Sequence, residues 1–429
     1  MRSRVTWVVL GLAAVGAVVA CSADTGEDVF GKPVTGKGGS AGSKTDGGGT
    51  AGTSTGAGGT MGGTGGVIGM DVDINGEGSP PTGCNFADST DHDGDGFSFV
   101  DGDCNDCDVN INPGAFDDGS PSADGGAPVD TNCDGAPGGD TFECDTGLQV
   151  ADNDAFNAAK AIGLCRKADA NATGKDKTWG VLDARFVKAD GSAGMNPLSH
   201  GLLPKFGSAN VQQGATMLGL SSGTARGPAM PGYQSPGGAD MGTDCNPPIP
   251  DMDTNACPGV TSGDPHDAAA LELMIRVPTN AKSIKFNLNF YTYEFPVYIC
   301  STYNDFFVTL MTPKPAGSTD GNISFDQNGD PISVNNSMLQ VCQAQNAGGK
   351  NFACPLGTGL LQGTGFEGHA ATGWLQTSTS VEPGSTIKLR FAIWDAGDHV
   401  LDSTVLVDNF TFSVEPATGT VTEPIPNPK

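Results

Sequence analysis

The chain has 429 residues, of which 65 are glycine and only 7% aromatic, so much of its length cannot be packed core. Acids outnumber bases 49 to 22, for a formal charge of −27. Such a surface repels nucleic acid and anionic lipid and attracts divalent cations, which excludes a nucleic-acid partner.

Arg2 and Arg4 precede an apolar run from Trp7 to Val19, the charged and apolar regions of an export signal. The run is shorter than a bilayer span, which favours a cleaved signal over a membrane helix. It ends in Val18-Val19-Ala20-Cys21, which resembles the bacterial lipobox. That resemblance implies cleavage after residue 20, a diacylglycerol on Cys21 and attachment to the membrane through this lipid, with Ser22 favouring the outer membrane. Residues 21–70 follow as a disordered tether, with 17 Gly between Gly31 and Met70 and almost no large apolar side chain. A coil of that length spans roughly 35 Å and holds the rest clear of the lipid.

Residues 71–145 contain 19 Asp and Glu and no Lys or Arg, with four Cys before Cys144. With so little apolar content, this segment is predicted to fold by ligation and disulfides rather than around a core. Its strongest motif is Asp91-His92-Asp93-Gly94-Asp95-Gly96, where carboxylates at positions 1, 3 and 5 and a glycine at 6 match a calcium loop. Position 12 is Gly102, so the usual bidentate Glu is missing; Asp101 and Asp103 flank it and are candidates to substitute, with Asp106 just beyond. No amphipathic helices flank the loop, which points away from an EF-hand pair and towards an elongated calcium module. The alternative is a purely solvated acidic loop.

The run Asp101-Gly102-Asp103-Cys104-Asn105-Asp106, then Ile111-Asn112-Pro113-Gly114-Ala115, then Asn132-Cys133-Asp134-Gly135 closely resembles the MopE-type metal-binding repeat. The resemblance implies a Cys104–Cys133 staple and ligation by the surrounding carboxylates. Cys107 and the insertion from Ser120 to Ala127 depart from the pattern. Copper, which that family label mentions, prefers imidazole, thiolate and thioether. Residues 71–145 offer one imidazole, His92, and no Met, so calcium is the expected cofactor.

Cys21 aside, eleven Cys remain, and in an oxidising compartment these are mainly disulfides with one left over. Spacing suggests local staples Cys144/Cys165 and Cys245/Cys257, while Cys300 could reach Cys342 or Cys354. Connectivity itself stays open.

A short helix is predicted from Asp154 to Cys165, with Asp154 as N-cap and Phe156, Ala159 and Ile162 on one face. Beyond it the periodicity is β. Leu271, Leu273, Ile275 and Val277 alternate with polar or exposed positions, as do Ile284, Phe286, Leu288 and Phe290, and Ile387, Leu389, Phe391 and Ile393. Val181–Lys188, Phe306–Leu310 and Thr404–Val414 are further strands. The predicted fold is therefore mainly β: a sandwich or jelly roll over residues 146–415, preceded by the short helix and the acidic segment, with residues 416–429 a disordered tail. Arg226 to Pro265 reads as a long surface loop clipped by Cys245 and Cys257.

This C-terminal part resembles the choice-of-anchor L domain over about residues 150–415. The resemblance rests on Gly214–Gly223, on Tyr293-Glu294-Phe295 with Tyr303-Asn304-Asp305-Phe306, and on Asp395–Asp398 through Leu401-Asp402-Ser403 to Val407-Asp408-Asn409-Phe410. It implies a surface role and no substrate. Gly219-Leu220-Ser221-Ser222-Gly223 also fits the G-x-S-x-G of serine hydrolases, with Asp395 and His399 as conceivable partners, but a nucleophile elbow needs a strand–turn–helix that the flanks do not offer. No enzymatic activity is expected. His200, His266 and His369 read as exposed loop histidines.

Within the sandwich, Glu294, Asp305, Asp398, Asp402 and Asp408 occupy semi-buried positions near strand ends. Isolated carboxylates there are costly, so a second divalent site is predicted, with turn capping as the alternative. The sequence thus points to a lipid-anchored surface protein that binds calcium for adhesive or architectural purposes, with a surface or matrix partner it does not identify. A metal-scavenging surface protein is the runner-up.

Overall fold

The alternating apolar runs become strands because one face of each can be buried against a second sheet. The computed structural model describes residues 86–429 except 122–124, 141–143, 251, 253, 254, 317, 319 and 337. The signal, Cys21, the tether and residues 71–85 of the acidic segment lie outside the described residues. In chain order the strands are β1 (Gly180–Val187), β2 (His200–Leu203), β3 (Met217–Ser221), β4 (Pro265–Arg276), β5 (Ser283–Thr292), β6 (Phe306–Thr312) and β7 (Ile332–Ser333). They continue with β8 (Gln345–Ala347), β9 (Lys350–Phe352), β10 (Ala370–Ala371), β11 (Leu375–Ser380), β12 (Thr386–Ala396), β13 (Ser403–Ser413) and β14 (Val421–Pro424).

Two antiparallel sheets face each other. One has the order β1-β4-β12-β6-β7, the other β14-β11-β5-β13-β3-β2 with β10 beside β5; β8 and β9 form a separate hairpin. Leu271, Leu273 and Ile275 on β4 and Leu389, Phe391 and Ile393 on β12 meet Phe286, Leu288 and Phe290 on β5 and Val405 and Val407 on β13 in one core. The Phe286 and Phe391 rings touch edge to face at 5.1 Å across the two sheets. A helix, α1 (Ala155–Ala161), closes one side of this core with its alanines and Ile162, and the Asp154 carboxylate accepts the Phe156 N–H at its N-terminus. The helix is shorter than predicted because Ile162 already leaves helical geometry.

Three sequence expectations are corrected. The Arg226–Pro265 segment is not an exposed loop: Ala239, Met241 and Ile249 are buried, and Ile249 joins Ala268, Ala270, Ala392, Trp394 and Phe306 on the outer face of the five-stranded sheet. That face carries alanines and aromatics on alternate positions and therefore needs a cover. Cys245 does not clip this segment to Cys257; Cys257 bonds Cys300, and Cys342 bonds Cys354 rather than either reaching Cys300. The tail is ordered as β14 along the free edge of β11, with Leu375 opposite Pro424 and the Ile425 N–H donating to Trp374 O at 3.0 Å.

The acidic segment docks on the sandwich within the same compact unit. Phe116 packs against Trp179 and Phe412, and the Thr279 hydroxyl donates to Asn112 Oδ1 at 2.7 Å. Cys104–Cys133 and Cys144–Cys165 bond as separate staples, the second tying the segment to the residues after α1.

Candidate metal centres

In the first acidic loop, Asp91 spends both oxygens on the loop backbone, whereas Asp93 and Asp95 each use one oxygen locally and leave the other buried without a donor. Asp91 accepts the N–H groups of Gly94 (2.6 Å) and Gly96 (2.9 Å), Asp93 that of Asp95 (3.2 Å) and Asp95 that of Phe97 (2.8 Å). Gly94 and Gly96 both have positive φ, which lets the loop close so tightly. From the second turn, Asp103 accepts the Asn105 N–H and Asp106 the His92 N–H. The remaining oxygens, Oδ2 of Asp93, Asp95, Asp103 and Asp106, are buried without a donor. Asp91, Asp93 and Asp95 bring oxygens within 4.8 Å of one another, and Asp93, Asp103 and Asp106 do the same. Asp101 differs: it accepts the Ser98 hydroxyl at 2.6 Å, so of the two residues flanking Gly102 only Asp103 joins the cluster. Burial, reinforced by neighbouring Asp93 and Asp103, pushes the Asp95 carboxyl up to about 7, and burial likewise pushes Asp103 up to about 6.

A second loop repeats the first. Asp130-Thr131-Asn132-Cys133-Asp134-Gly135 has oxygen side chains at positions 1, 3 and 5 and a glycine with positive φ at 6. The Gly135 N–H bonds Asp130 Oδ2 at 2.8 Å, as Gly96 bonds Asp91, and the Ala136 N–H bonds Asp134 as Phe97 bonds Asp95. Asp117 completes a triad with Asp130 and Asp134 within 4.8 Å. The sequence reading took this stretch only as the end of a repeat; the D-x-N-x-D-G spacing was the available signal. Cys104–Cys133 joins the two loops.

At one end of the sandwich, Glu294, Asp305, Asp395 and Asp402 are all almost fully buried. Asp305 accepts the Ser403 hydroxyl (2.6 Å) and the Ala396 N–H (3.3 Å). Both oxygens of Asp395 and of Asp402 and one of Glu294 have no hydrogen-bond partner; the Ala239 N–H lies near Asp402 without closing a bond. Burial raises all four carboxyls. The mutual repulsion of Glu294, Asp305 and Asp395 adds to this, with Asp398 contributing, and Asp402 reaches about 8.

Asp398, half-buried in the preceding turn, accepts the Val400 N–H at 2.9 Å. Asp408 does not belong with the group. It accepts the N–H groups of Gln212 (2.6 Å), Gln213 (3.3 Å) and Asn409 (2.6 Å), because strand alternation puts it with Leu406 on the outer face of β13, opposite the inward Val405 and Val407. Asp395 takes its place; in sequence it belongs to the Asp395–Asp398 block and is a conceivable partner for Ser221, but not a ligand of the predicted second site.

The histidines are less exposed than expected. His200 is buried, stacked on Phe186, and donates from Nε2 to Asp152 O at 2.9 Å; His369 stacks on Tyr293 and donates to Phe295 O. His266 and His399 meet Asp244: His266 Nδ1 lies 2.9 Å and His399 Nε2 3.6 Å from its Oδ1. Behind them, buried Asp267 holds His399 Nδ1 at 3.2 Å. Ser221 ends β3 and donates to Ser403 O at 2.9 Å, and a loop follows it rather than the helix of a nucleophile elbow.

Residues 210–413 match the family model described as the choice-of-anchor L domain, which marks a cell-surface or secreted protein. The match starts after α1, β1 and β2, later than the resemblance over 150–415 suggested. No curated protein matches the chain.

Proposed function

We propose that this is a lipid-anchored cell-surface protein without enzymatic activity, whose acidic segment folds around calcium to serve an adhesive or architectural role. One observation carries the reading: in the loops from Asp91 to Asp106, Asp93, Asp95, Asp103 and Asp106 each keep one buried oxygen without a donor, and they belong to two close carboxylate triads that share Asp93. Oxygen ligands at the spacing of a calcium loop, with no thiolate or thioether among them, suit a hard cation, and extracellular sites of this kind bind at about 10⁻⁴ to 10⁻³ M. The MopE-type repeat, Cys21 lipidation and an outer-membrane location belong to the same proposal.

Limited proteolysis tests it. Chelation should speed cleavage within residues 86–145 at least tenfold and calcium should restore protection, while Asp93→Asn combined with Asp103→Asn should be cleaved fast in both media. Equal cleavage of the native chain with and without calcium would reject the reading. Metabolic fatty-acid labelling lost in Cys21→Ser tests the anchor.

Asp244, His266 and His399, with Asp267 orienting one imidazole, favour a second reading as a transition-metal scavenger. Tight zinc or copper binding abolished by His399→Ala, in preference to calcium, would support it.

A further inference from the structure

The inner columns of three strands in the sandwich end in acids, and a fourth acid sits beside the end of a fourth column. On β5 the column Leu288, Phe290, Thr292 runs on to Glu294. On β12 the column Leu389, Phe391, Ile393 runs on to Asp395. Asp305 precedes Phe307 in the β6 column, and Asp402 adjoins Ser403, which precedes Val405 and Val407 on β13. Thr292 lies opposite Ser403 in one sheet and Phe306 opposite Trp394 in the other, so the four acids converge on the same end of the molecule. The Ser403 hydroxyl reaches Asp305 across the gap and ties the sheets together there.

Two features distinguish this cluster from acids that merely cap turns. Five of its oxygens, on Glu294, Asp395 and Asp402, are buried with no donor, although a capping carboxylate would accept backbone N–H groups as Asp408 does. Moreover, none of the salt bridges among the described residues reaches any of the four. Ionised carboxylates held this way need a cation. All the unsatisfied atoms are carboxylate oxygens, with no imidazole, thiolate or thioether among them, and calcium takes six to eight oxygen ligands of this sort.

We propose that Glu294, Asp305, Asp395 and Asp402 bind one divalent cation of the calcium class between the two sheets, closing the end of the sandwich. This site is independent of the acidic loops. The competing arrangement is a proton shared between Asp395 and Asp305 with no metal.

The test uses the full chain carrying Asp93→Asn, Asp103→Asn and Asp130→Asn, which disables the loops. Thermal unfolding is followed in EGTA and in calcium, alone and with Asp395→Asn or Glu294→Gln added. These two changes keep side-chain size and remove one charge each. The loop-disabled chain should keep a calcium-dependent rise in Tm, on the order of 5–10 °C at a hundredfold excess over Kd. Either added substitution should abolish that rise while leaving the Tm in EGTA unchanged or higher, and equilibrium dialysis should count one calcium fewer. Absence of any calcium-dependent rise in the loop-disabled chain, or a rise that survives both substitutions, would overturn the proposal and favour the shared proton. Failure of the loop reading would appear separately, as an unchanged calcium count between native and loop-disabled chains.

Discussion

The side-chain amide of Asn280 grips the backbone of Phe116 from both sides, donating from Nδ2 to the carbonyl and accepting the N–H at Oδ1, each at 2.9 Å. It stands in for a neighbouring strand and fixes the acidic segment to the turn between β4 and β5. Because Asn280 is buried, its loss leaves a peptide group without partners. Asn280→Ala should destabilise this junction by about 1–3 kcal/mol. Hydrogen exchange should show faster exchange at Phe116 and its neighbours, with the β12 core unchanged; protection at Phe116 equal to that of the native chain would refute the role.

His200 supplies a pH dependence. Burial, aided by the Arg226 charge, pushes its imidazole down to about 4, whereas in the unfolded chain it titrates near 6.5. The unfolded state therefore binds more protons between these values, so the contribution is full above 6.5 and lost as pH falls through 4. The span corresponds to roughly 3 kcal/mol at most. Urea midpoints between pH 7 and pH 4 should fall further for the native chain than for His200→Gln, which keeps a donor towards Asp152. Parallel falls in both proteins would show that His200 does not set the dependence.

Disulfide connectivity is open to direct mapping. Non-reducing peptide digests should join Cys257 to Cys300 and Cys342 to Cys354. Removing the Cys257–Cys300 bond should cost roughly 2–5 kcal/mol. A Cys245–Cys257 peptide would contradict the structure.

The six longest strands were legible because their residues alternate with the period of a half-buried sheet, and α1 because Asp154 marks its start. Short strands such as β2 and β14 carry no such signal; they form because an existing edge offers backbone partners. The same limit applies to the covered outer face, where Ala268, Ala270 and Ala392 look neutral in sequence and acquire meaning only beside Trp394 and Phe306. At the sandwich end, Glu294 and Asp305 stood out in sequence as acids beside aromatics, and Asp402 as an acid in the loop just before β13. Asp395 did not, although it continues the two-residue step from Ile387 to Ile393 that had already been read as inward-facing. Asp408 looks in sequence like a member of the Phe410 and Phe412 face, but the register shift after it puts those rings in the inner core while Asp408 stays in phase with Leu406 on the outer face.

The cover over the five-stranded sheet has a counterpart on the other side, where Leu361, Phe366 and Trp374 pack over Tyr291 and Leu406. With both broad faces roofed by the chain's own segments, a neighbouring molecule meets irregular loops and not a flat strand surface. Substitutions in those loops change the surface the molecule presents while the framework beneath keeps its register, so surface chemistry and stability become separately adjustable properties.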